Sequence, residues 1–124
     1  MDIRDGLAIW YDQALALSRA AFAHRHYAVA FHAIAAALHC ANDLGDDARL
    51  MEVGALAREQ AMWLDDHDPS DPLSAESAAL RGSHSLWASL GREVATRRRL
   101  LEQRRLIQRR YSYTSVDADP DTSA

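Results

Sequence analysis

Residues Leu15 to Gly45 read LALSRAAFAHRHYAVAFHAIAAALHCANDLG, and this stretch decides the fold. Helix-forming residues, above all alanine, run along both halves, and a short break at His24-Arg25-His26 separates them. The second half repeats apolar residues at Tyr27, Ala30, Phe31, Ile34, Leu38 and Ala41, the spacing of one helical face. It ends at Asn42-Asp43-Leu44-Gly45, and Gly45 suits a left-handed helix stop. The segment therefore reads as an antiparallel helix hairpin with facing surfaces largely of alanine. Such helices approach closely, but alanine carries no chemistry.

Upstream, Ile3, Leu7, Trp10, Ala14, Leu17 and Ala21 alternate spacings of four and three, predicting a first helix over residues 3–24 with these as its buried face. Downstream, Asp46 or Asp47 can cap a third helix, whose buried stripe is Leu50, Val53, Ala57, Ala61 and Leu64, with Trp63 at its edge. Dense acid and two prolines make residues 65–72 a loop. A long fourth helix is expected over residues 73–110, with a bend near Gly82 or Gly91 and an apolar line of Leu80, Trp87, Leu90, Val94 and Leu101. The expected fold is all-α: four helices in two antiparallel hairpins, as a repeat-like stack or four-helix bundle, ending in a long C-terminal helix. Residues 1–110 form one domain, and residues 111–124 read as a disordered acidic tail.

The stretch Ala14 to Gly45 resembles a tetratricopeptide (TPR) repeat. Leu17 and Ser18 stand where the first helix of that unit packs, Tyr27 and Ala30 open the second, and Ala37-Leu38 follow one and two turns on. Arg25-His26 stand where a turn glycine often precedes the tyrosine position. The resemblance implies stacked hairpins that hold other proteins or peptides. Arg19 and His24, in RAAFAH, also have the spacing of the arginine–histidine motif of HEPN domains, compact all-α domains of which many are ribonucleases. That resemblance implies a nucleic-acid-binding or RNA-cleaving alternative.

The 124 residues carry a formal net charge of −4, and every basic residue is arginine. The charge is uneven. Residues 92–110, REVATRRRLLEQRRLIQRR, hold eight arginines against Glu93 and Glu102. Such a segment suits a phosphate backbone, an anionic membrane surface or an acidic protein, and the interleaved Leu100, Leu101, Leu106 and Ile107 suit a protein partner or pairing with a second copy of the chain. The partner-binding residues expected are Trp63, Arg97, Arg98, Arg99, Arg104, Arg105 and Tyr111.

Other constellations carry less. His32 and His39 share a helix face but stand about 10 Å apart, too far for one metal ion. His24 and His26 suit the C-terminal end of the first helix as caps. Cys40, the one cysteine, has no activating base and allows no internal disulfide. A pocket lined by Trp10, Phe22, Phe31 and Trp87 is a further expectation. No residue is assigned to catalysis, a cofactor or a metal, and no signal peptide or membrane span is apparent, so the reading is a cytoplasmic scaffold or adaptor.

Overall fold

The computed structural model describes residues 2–118, with side-chain surroundings through residue 112. Five helices follow in order: α1 (Ile3–Ala23), α2 (Tyr27–Leu44), α3 (Asp47–His67), α4 (Ala75–Leu80) and α5 (Leu86–Ala118). The described residues contain no strand. α1 and α2 form one hairpin, and α3 with α5 a second that packs beside it.

The first hairpin is antiparallel. The Arg4 guanidinium donates to the Leu44 carbonyl at one end (2.8 Å), and Ser18 Oγ donates to the Ala30 carbonyl at the other (2.9 Å). Ala30, Ala37 and Ala41 are fully buried, as the alanine content of α2 implies. The second hairpin is equally close: a Cβ added at Gly54 of α3 would lie 3.2 Å from Val94 Cγ1 of α5.

Three helices end in one motif, with a backbone N–H reaching five residues back and its predecessor three. His26 N–H donates to the Ala21 carbonyl and Arg25 N–H to Phe22; Asp46 N–H donates to Ala41 and Gly45 N–H to Asn42; Ser83 N–H donates to Ala78 and Gly82 N–H to Ala79. The residue at the left-handed position is Arg25 (φ 63°), Gly45 (φ 63°) and Gly82 (φ 73°) in turn. Backbone amides thus close α1, and no His24 or His26 ring bond to a helix-end carbonyl accompanies them, contrary to the capping expected of these residues.

Two other expectations are corrected. The bend foreseen near Gly82 is a full break, which divides the expected fourth helix into α4 and α5. Side chains restart each piece: Ser74 Oγ accepts the Ser77 N–H, and Ser85 Oγ accepts the Ala88 N–H. The buried face of α1 is also rotated. Its buried residues are Gly6, Tyr11, Leu15, Ser18 and Ala21; of the expected face Ala21 is buried, Leu7 and Ala14 are half-buried, and Ile3, Trp10 and Leu17 are exposed. The reason is polar. Tyr11 OH donates to the Glu52 carboxylate and lies 3.1 Å from the Arg49 carbonyl, while Ser18 has partners on α2 and α3. These bonds make burial of Tyr11 and Ser18 favourable, and apolar periodicity does not register them.

α5 is helical through residues 111–118, where the sequence suggested an unstructured tail; residues 119–124 lie outside the described residues.

Candidate functional site

α5 has two halves. Trp87, Leu90 and Val94 are buried against the body, and Leu101 is the last half-buried contact. Beyond it every residue from Glu102 to Ser112 is exposed. None of these eleven residues makes a side-chain hydrogen bond or ion pair among the described residues. At about 1.5 Å per residue, residues 102–118 project roughly 25 Å as a helical arm.

The expected binding residues divide accordingly. Arg97 Nε donates to Glu93 Oε1 (2.8 Å), and Arg98 grips Asp47 with Nε and Nη2 (2.8 and 3.2 Å). The Arg98 bonds hold the Asp47 carboxyl below the usual carboxylate range and raise the Arg98 guanidinium. Both groups are partly solvated, so this pair contributes less than about 1 kcal/mol. Arg99 makes only a 3.4 Å contact with Thr96. Arg104 and Arg105 are exposed with no ion pair among the described residues, and Tyr111 is 72% exposed.

At about 100° per residue, Leu100, Ile107 and Tyr111 share one stripe of the arm. Arg97 and Arg104 border it on one side, Gln103 and Arg110 on the other. Leu100 and Ile107 are 47% and 53% exposed, so the stripe is a solvent-facing apolar line with arginine on both borders. The remaining charge is of the opposite sign. Residues 92–110 carry eight arginines and two acids (+6), and residues 1–91 carry six arginines and thirteen acids (−7).

Trp63 sits elsewhere. It is half-buried, stacks on the His67 ring (centroids 4.5 Å) and meets Phe22 edge-on (5.5 Å). Phe22 in turn touches Trp87 near the start of α5 (6.5 Å), and Tyr111 lies 24 residues further, about 36 Å along the helix. Trp63 and Tyr111 therefore belong to different regions. Trp63 lines a cleft of about 480 Å³ between α1 and α3, with Arg19, Phe22, Arg25, Leu56 and Glu59. Arg19 lines this cleft and His24 does not, so the arginine–histidine pair does not converge there.

The pocket expected from four aromatics does not form. Phe22, Phe31 and Trp87 pack together in the core, and Trp10 stands outside at 59% exposure. His32 and His39 are exposed, and no three His, Cys, Asp or Glu among the described residues are placed to hold a metal ion. Burial pushes the Cys40 thiol up, away from an activated thiolate. The acids of the Pro loop serve as struts. Asp65 accepts the Ala75 N–H (2.8 Å), Asp68 the Tyr27 hydroxyl (3.2 Å), and Asp71 the Leu73 N–H (2.9 Å).

No described helix is long and apolar enough to cross a membrane. No protein-family model, curated protein or solved structure matches the chain.

Proposed function

We propose that the chain is a non-enzymatic helical scaffold or adaptor that docks onto an acidic protein surface through the free half of α5. The observation that carries this reading is the exposed stripe Leu100–Ile107–Tyr111, bordered by arginines and running from the last half-buried turn of α5 onto the projecting arm. An amphipathic helix of this kind fits an apolar groove with an acidic rim, the groove taking the stripe and the rim the guanidinium groups. Arg97, Arg98, Arg99, Arg104 and Arg105 set the electrostatic attraction, and Tyr111 supplies an aromatic anchor. Trp63, at the other end of the molecule, is a second contact for a long partner.

Nucleic acid is the second reading, favoured by arginines on the arm that face away from the stripe, as Arg105 and Arg109 do. Affinity capture with the full chain separates the two. A protein partner is lost with Ile107→Asp and with Arg104→Glu/Arg105→Glu/Arg110→Glu, and is retained after nuclease treatment. Binding that nuclease abolishes, and that Ile107→Asp leaves intact, assigns the arm to nucleic acid. A partner indifferent to all of these changes removes the arm as the docking element.

A further inference from the structure

From the cleft between α1 and α3 we infer a ligand site: it binds a small organic carboxylate, a single negative charge carried on a flat apolar body. This inference does not rest on the arm or its partner.

Long side chains bridge α1 and α3. Tyr11 reaches Glu52, Gln60 reaches Ser18, and Phe22 meets Trp63 edge-on (centroids 5.5 Å). The cleft of about 480 Å³ left between the helices is within the range of small-molecule sites. Its inner lining is apolar: Leu56 is buried, and Phe22 and Trp63 are half-buried. Gln60 lines it too, with its amide committed to Ser18 and Trp87. The Trp63 indole is a fixed wall. The His67 ring stacks on it (10° between planes), and His67 Nδ1 lies 3.0 Å from the Trp63 carbonyl. A wall already in place takes up a ring at little entropic cost.

The charge comes from Arg19 and Arg25, both exposed and both lining the cleft. Residues 1–91 hold thirteen acids and six arginines. Three of those arginines have acceptors: Arg4 the Leu44 carbonyl, Arg49 the Asp46 carboxylate and Arg81 the Pro72 carbonyl. Arg19 and Arg25 make no side-chain hydrogen bond or ion pair among the described residues, despite the excess of acid. Two guanidinium groups on one cleft are set to receive an anion by charge-assisted hydrogen bonds. Arg25 gives a separate sign. It stands at the left-handed position that glycine fills in the two sister turns, so this side chain is kept at a conformational cost. Glu59 also lines the cleft, and two arginines less one glutamate leave a net charge of +1. That excess suits one carboxylate better than a doubly charged phosphate.

Phenylacetate tests the inference, titrated into the full chain at fixed ionic strength and followed by NMR of the amide and indole N–H groups. The expected result is saturable binding in the millimolar range, as befits a probe of about ten atoms, with shifts at Trp63 and Arg25. Phenylacetamide, which lacks the charge, and acetate, which lacks the ring, bind about 10-fold or more weakly. Arg25→Gly weakens phenylacetate binding about 10-fold, and Arg19→Gln does the same. Because Arg25→Gly relieves backbone strain, a loss of binding there is not a loss of folding. Ile107→Asp, on the arm, leaves the affinity unchanged. A titration that shows no saturation up to about 50 mM overturns the inference. So does phenylacetamide or acetate binding as tightly as phenylacetate, affinity that survives both arginine changes, or affinity that Ile107→Asp abolishes. Phenyl phosphate bound more tightly than phenylacetate overturns the assignment to a single charge.

Discussion

The indole nitrogen of Trp87 donates to Gln60 Oε1 across 3.0 Å in the fully buried interior. Gln60 Nε2 donates in turn to Ser18 Oγ (3.0 Å), which donates to the Ala30 carbonyl (2.9 Å). One chain of bonds thus joins α5, α3, α1 and α2 and ties the two hairpins into one body. Each link is satisfied, and no buried side-chain nitrogen or oxygen among the described residues lacks a partner. Cutting it strands buried polar groups, which costs more than the net worth of a bond. Gln60→Ala orphans the Trp87 N–H and leaves a cavity, and it should destabilise by about 2–4 kcal/mol. Trp87→Phe orphans Gln60 Oε1 and should cost about 1–3 kcal/mol. Urea unfolding of each single variant and the double measures the coupling; additive costs mean the bond contributes nothing of its own.

The shared turn motif yields a second expectation. Arg25 holds a left-handed backbone that Gly45 and Gly82 hold without strain. Arg25→Gly relieves that strain but loosens the unfolded chain, with a net stabilisation of about 0.5 kcal/mol. Gly45→Ala acts in the opposite direction, costing about 1 kcal/mol. Thermal unfolding of the two variants should therefore move to opposite sides of the parent.

Stability should fall at both ends of the pH scale. The Arg49 backbone N–H lowers the Asp46 carboxyl, and Arg98 lowers Asp47, both below the unfolded value of 3.8. Depressed carboxyls stabilise fully above the unfolded value, and the contribution is lost as pH falls from there through the folded value. Burial raises the hydroxyls of Tyr11 and Tyr27 above 10.0, so their contribution is complete below that value and declines as pH rises beyond it. Unfolding free energy measured from pH 2 to 11 checks both limbs. Asp47→Asn should flatten only the acid one.

Substitutions on α5 should divide at Leu101. Leu90→Ala, in the anchored half, should cost about 2–4 kcal/mol. Ile107→Asp and Tyr111→Ser, on the arm, should stay within about 0.5 kcal/mol of the parent. A large loss for either arm variant in the isolated chain contradicts the projecting arm.

The fold was legible where one physical term dominated. Gly45 marks the end of α2, Asp46 caps α3, and Leu50, Val53, Ala57 and Leu64 are buried as their spacing implied. Reading failed where polar groups outweigh apolar count. Tyr11 and Ser18 face inward because Glu52, Gln60 and Ala30 receive them, and those partners stand 12 to 42 residues away. Nothing near Gln60 in sequence marks it as the hub of a buried network. The arginines of the arm were legible as a charge run, but their separation from Trp63 depended on the length and direction of α5.

The projecting half of α5 has a kinetic corollary. Its amides are held only by the helix itself, so they should open turn by turn from the far end, in isolation from the rest. Those of the anchored half are released only when the whole molecule comes apart. A single uninterrupted rod thus keeps two clocks for deuterium uptake, with the change of tempo near Leu101. Whatever settles on the outer half would slow the faster clock and leave the other running as before.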